Sequence, residues 1–154
     1  MTTLTDEQKS TLNAEIATDP EGKGYAALLP NQPGHVVDLL NEQTETMYKP
    51  HMVTERTIME LDPTMARSIF TKFRAFATQD ILVEKAVGFL QQSAGLDGGH
   101  PNCHWMIDQL SAVPAPDGFT PEEARALKNL SLLPASRAEV LGLPYMTEEL
   151  LRNL

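Results

Sequence analysis

Between Asp62 and Gly95 the sequence encodes two apolar helices joined by a tight turn, a pair that few folds accommodate without building a core around it. In the first, Met65, Ile69, Phe73 and Phe76 recur at i, i+4, i+8 and i+11, with Ala66, Phe70 and Ala77 widening the stripe. In the second, Leu82, Ala86, Phe89 and Leu90 repeat the pattern, flanked by Ile81, Val83, Val87 and Ala94. Both have the 3.6-residue period of an amphipathic helix. Four of the five phenylalanines lie here, so most of the aromatic area available for a core sits in this stretch. The stripes are wide enough to be buried from two sides, which predicts a core helical hairpin over residues 62–95.

The rest of the chain reads as shorter helices separated by strong breakers. Thr5 and Gln8 form a capping box ahead of Leu12 and Ile16, predicting a helix that ends near Thr18. Asp19-Pro-Glu-Gly-Lys-Gly-Tyr25 is a turn-rich link: its glycines suit positive φ, and its tyrosine can fold back on a helix. Pro33 is placed as a first-turn residue of a second helix, with Val36, Val37, Leu39 and Leu40 as its face. Residues 53–61 read either as a brief extended segment or as a short helical turn. Asp62-Pro63 caps the first core helix, and Gly95 is expected as the left-handed residue ending the second. A Gly-rich loop follows, then a short apolar helix through Trp105, Ile107 and Leu110. Thr120-Pro-Glu-Glu123 is a strong helix start, running to about Asn129. Two further helices over 135–154 complete a C-terminal hairpin. The expectation is a mostly α fold, one small domain of about six to seven short helices over residues 1–154.

Length supports that expectation: 154 residues suffice to bury a real core as one domain. The formal charge is −9, and it divides evenly along the sequence, with 11 acids and 7 bases in residues 1–77. Nucleic-acid binding normally needs clustered bases to displace counterions. Arg67, Lys72 and Arg74, three bases on the phenylalanine helix, are the closest approach and read as its solvated side, so no direct nucleic-acid binding is expected. The single cysteine, Cys103, excludes an internal disulfide framework and suits a reducing compartment. No secretion signal opens the chain, and no apolar run approaches a membrane span. Synthesis in the cytoplasm and no membrane association are therefore expected.

The densest group of potential ligands is Gly99-His100-Pro-Asn-Cys103-His104. A thiolate and two imidazoles are ligand types that zinc prefers, and Asp97 or Asp108 would supply a fourth. Against a zinc site, Cys103 and His104 are adjacent and point about 100° apart on a helix, and no second ligand pair occurs elsewhere. The same adjacency argues against a nucleophile–base pair. His100, Cys103 and His104 remain the weak metal candidates, with no metal or other cofactor expected. Trp105 reads as a core or subunit-contact residue. No G-x-S-x-G turn, dinucleotide fingerprint or P-loop is present, so no catalytic residue is assigned and the chain is expected not to be an enzyme. The C-terminal hairpin offers Glu148 and Glu149 against one Arg152, the wrong charge for a helix-turn-helix.

Two stretches carry a resemblance. Asp19-Pro-Glu-Gly-Lys-Gly-Tyr25 followed by Leu39-Leu40-Asn41, and Ser136-Arg137-Ala138-Glu139-Val140-Leu141-Gly142 followed by Thr147-Glu148-Glu149-Leu150, resemble the opening and close of a family of small tailed-phage and prophage proteins. They cover roughly a third of the chain. The resemblance implies a phage origin and, for a small acidic helical chain, a virion assembly role: a head-completion or head–tail connecting (neck) adaptor, repeated as a homo-oligomer. Its partners would be other phage structural proteins of portal, capsid or tail, and its location the virion. Within that picture Tyr25 and Arg137 are the interaction candidates, Arg137 because a guanidinium holds carboxylates bidentately. An intramolecular ion pair is the other reading of Arg137. Two alternatives stand beside the adaptor: an acidic intracellular protein that inhibits a host factor, and a zinc-dependent enzyme built on His100, Cys103 and His104.

Overall fold

A computed structural model describes residues 2–154. The fold is mostly α, with ten helices and four short strands among the described residues. The excess over the six or seven expected helices comes from single-turn elements that no periodic pattern marks. The chain forms two compact units: residues up to Met47 together with Pro134–Leu154, and Tyr48–Leu133. It passes between them in β1 (Glu45–Tyr48) and β4 (Leu132–Ala135).

The first unit is made from the two ends of the sequence. α1 (Asp6–Thr18) opens on the Thr5–Gln8 capping box and closes on Asp19, which takes the left-handed conformation at φ 42°. The Asp19 carboxylate then accepts the Lys23 and Gly24 N–H groups at 2.7 and 2.8 Å, tying the link into a turn. Gly22 and Gly24 take positive φ, as that turn requires. The link ends in a one-turn helix, α2 (Tyr25–Leu28), before α3 (Pro33–Asn41) starts with Pro33 in its first turn. From the other end come α9 (Arg137–Val140) and α10 (Glu148–Arg152), both packed on α3. Leu12, Tyr25, Val36, Leu40, Ala138, Met146, Leu150 and Leu151 form the unit's core.

The second unit is organised by the hairpin of α5 (Pro63–Ala77) and α6 (Ile81–Leu90). Before it, residues 52–59 divide: β2 (Met52–Val53) is extended, and α4 (Glu55–Met59) is a short helix capped by Thr54. β2 pairs antiparallel with β3 (Leu96–Asp97), Val53 facing Leu96 and Met52 facing Asp97. α7 (Pro101–Ser111) and α8 (Pro121–Asn129) pack on one another, and Thr120 and Glu123 make the capping box that starts α8. Such a cap contributes about 1 kcal/mol. Phe119 meets Phe73 and Phe76 edge to face, with ring centroids 5.1 and 6.1 Å apart.

Three expectations are corrected here. α6 is buried along Val83, Ala86 and Leu90, whereas Ile81, Leu82 and Phe89 are about half exposed or more. Its stripe is therefore not buried from both sides within the chain, because α6 is apolar nearly all round and only one face meets α5. Gly95 has φ +75° but does not end α6, which stops at Leu90 with Gln91 as its cap. It instead lets the backbone pass Val53, whose carbonyl oxygen would lie 2.5 Å from an added Cβ. Lys72 is not on a solvated face: its ammonium sits 2.5 Å from the buried Glu123 carboxylate.

Candidate functional site

In the first unit the geometry gathers the residues of both resemblance stretches around one carboxylate. α1 presents Glu15, which is buried although charged. The Asp19 turn sets the start of α2, and from there the Tyr25 hydroxyl donates to Glu15 Oε1 at 3.1 Å. The Ser136–Glu139 capping box fixes the first residue of α9, which is Arg137. Its guanidinium grips Glu15 bidentately, Nε to Oε1 at 2.8 Å and Nη2 to Oε2 at 3.0 Å. Nη1 continues to Glu21 and Glu45 at 3.1 and 3.3 Å. Glu45 is shifted upwards, first by its hydrogen bond to Glu21 and then by burial, while the same bond shifts Glu21 downwards. Tyr25 is pushed up by burial and then by the Glu15 charge. Nearby, the Asn41 side-chain amide exchanges two hydrogen bonds with the Met146 backbone, at 2.8 and 2.9 Å. Gln8 Nε2 donates to the Gly142 carbonyl at 3.1 Å.

Tyr25 and Arg137, the two interaction candidates, thus meet on the same carboxylate, and the guanidinium is engaged on every side within its unit. This is the intramolecular ion pair among the two readings of Arg137. Chemically the cluster is a clamp that holds together segments more than 120 residues apart in sequence.

The His100 to His104 loop is also tied into the fold. His100 caps α7 and accepts the Asn102 N–H on Nδ1 at 3.0 Å. The His104 ring stands edge-on to Tyr48, centroids 4.6 Å apart. Burial, and then the Asp97 charge, push the Cys103 thiol up to about 11. Asp97 Oδ1 accepts the His51 and Gly99 N–H groups, and Asp108 pairs with Lys128. The described residues include no group of three or more His, Cys, Asp or Glu placed to hold a metal ion.

What the second unit does offer is an open apolar groove of about 600 Å³ between α6 and α7. Leu82, Ala86 and Phe89 form one wall, and Cys103, Trp105 and Met106 the other. Trp105 is 56% exposed, so it belongs to this surface and not to the core. Behind the groove, Val83, Leu90, Ile107 and Leu110 are buried, so both walls are anchored in the unit's core. Lys85 and Asp97 stand among its lining residues, one charge of each sign. Isolated exposed apolar side chains are normal, whereas here Leu82, Phe89 and Trp105 line one groove. On α6, Leu82 and Phe89 face the groove while Val83 and Leu90 are buried, and the periodicity of so apolar a helix does not say which of these faces is left open.

The arrangement defines a mostly helical protein with a structural ion-pair clamp in one unit and an exposed apolar groove in the other. Compared with protein-family models, curated proteins and solved structures, the chain matches none. No helix among the described residues is long and apolar enough to cross a membrane.

Proposed function

We propose that this protein is a non-enzymatic assembly subunit of a tailed-phage particle, a head-completion or head–tail connecting adaptor that works by docking. The observation that carries the docking role is the α6–α7 groove, where Leu82, Phe89 and Trp105 are 48–58% exposed on walls anchored in the unit's core. Apolar area of this kind supports association with other proteins. The phage assignment rests on the resemblance of Asp19 to Tyr25 and Ser136 to Gly142. Its partners are other structural proteins of portal, capsid or tail, and it resides in the virion after synthesis in the host cytoplasm. Mass spectrometry of purified particles tests the proposal: the protein is expected at a fixed stoichiometry, and its absence refutes the role.

One observation favours a second reading. The first unit carries 11 acids against 4 bases, a balance of −7, whereas the second carries 10 against 8, a balance of −2. A charge gathered on one unit suits a basic partner, as in an inhibitor of a host nucleic-acid-binding factor. That reading predicts salt-sensitive capture of one basic host protein, and salt-insensitive capture or none rejects it.

A further inference from the structure

We propose that the α6–α7 groove is a self-association surface, and that its occupant is a second copy of this chain. The inference rests on the docking reading above and names its first partner.

Area is the first argument. A standard interface buries about 800 Å² per partner, somewhat over half of it apolar, so about 450 Å² of apolar surface is needed on each side. Trp105 at 56% exposure and Phe89 at 48% contribute about 240 Å² between them. Leu82 at 58% brings the total to about 320 Å², to which the partly buried Leu96 and Cys103 add. One strip therefore supplies most of the apolar share of a standard interface. The walls are fixed by the buried face of α6 and α7, so little ordering cost is added on association.

Charge is the second argument, and it selects the occupant. Two chains of formal charge −9 repel each other, and the repulsion is least where the surface is nearest neutral. That surface belongs to the second unit, at −2, and the groove itself offers Lys85 and Asp97. A strongly basic partner would find its complement on the first unit, at −7, and no excess charge in the groove. A copy of the same chain brings to the groove the neutral, apolar face that the groove itself presents.

Trp105 is the only tryptophan, and it lies on this surface. The full chain should be examined by native mass spectrometry and tryptophan emission from below 1 µM up to about 50 µM, above the weak end for interfaces of this size. The expected result is a closed oligomer that grows with concentration while Trp105 emission moves to the blue over the same range. Leu82→Glu should raise the dissociation constant about tenfold or more. Tyr145→Glu, on an exposed aromatic of the other unit, should leave it unchanged; far-UV circular dichroism confirms that both variants fold. A chain monomeric at about 50 µM, with or without a bound small molecule, overturns the proposal. So does an oligomer in which Trp105 does not move and Leu82→Glu associates like the parent. Particle composition is read separately: a monomer found in particles sinks this inference alone, and an oligomer absent from particles sinks only the virion role.

Discussion

Arg137→Met tests whether the Glu15 clamp holds the first unit together. The guanidinium makes a bidentate pair with a carboxylate whose side chain is 3% exposed, and two of its nitrogens face that one partner. Removing it leaves a buried charge with the Tyr25 hydroxyl as its remaining side-chain donor. Breaking a buried pair from one side costs about 3–5 kcal/mol. Against a total stability of about 5–15 kcal/mol, that is a large fraction, corresponding to a fall in Tm of about 10 °C for a chain of this length. The assay is urea unfolding followed by far-UV circular dichroism, with the slope compared between variants. Pairing Arg137→Met with Glu15→Leu should recover most of the loss, because an apolar pair of similar volume replaces a buried ion pair at little or no cost. A loss below about 1 kcal/mol, the level of an exposed ion pair, would refute the clamp. So would a double variant as unstable as the single one.

Two further predictions concern the second unit. Burial alone would raise the Glu123 carboxyl, but hydrogen bonds from Lys72, Ser68 and the Thr120 N–H outweigh it and hold it at about 2. A depressed carboxylate stabilises the fold fully above its ordinary value of 4.5, and that contribution, about 3 kcal/mol, is lost as pH falls from there through about 2. Glu123→Gln should flatten this acid limb in stability measured against pH; an unchanged limb would show that other carboxyls produce it. At Gly99 an added Cβ would lie 1.9 Å from the Lys49 carbonyl oxygen, whereas at Gly88 it would meet nothing within 4 Å. Gly99→Ala should therefore cost about 2 kcal/mol through forced backbone movement, and Gly88→Ala in the interior of α6 should stabilise by about 0.5–1 kcal/mol. Equal effects at the two sites in thermal unfolding would contradict the close approach.

The candidate sites were legible in part. Tyr25 and Arg137 stood out from their sequence stretches, and the tyrosine's return to a helix followed from the turn before it. Their common partner did not, because Glu15 lies in a helix with an ordinary polar pattern and nothing local marks it as buried. The His100 to His104 cluster looked like a ligand set by residue type. Packing turns it to other uses: a helix cap, a half-buried thiol and an edge-on contact with Tyr48.

Local chemistry was written in the sequence itself. The Thr5–Gln8 and Thr120–Glu123 capping boxes, Pro33 and Pro63 in first turns, and the end of α1 at Thr18 depend on residues within one turn of each other, so short-range spacing determines them. The mostly α class followed from the same periodicities. Only the tertiary structure decided which face of α6 is covered, since a helix apolar nearly all round has no single stripe for its period to select. Tertiary structure also decided where the charge collects. The acids are even along the chain, but the fold brings the two ends into one unit and so concentrates them there. Periodicity reports what a helix prefers to bury, whereas pairings across more than a hundred residues are set by which surfaces meet.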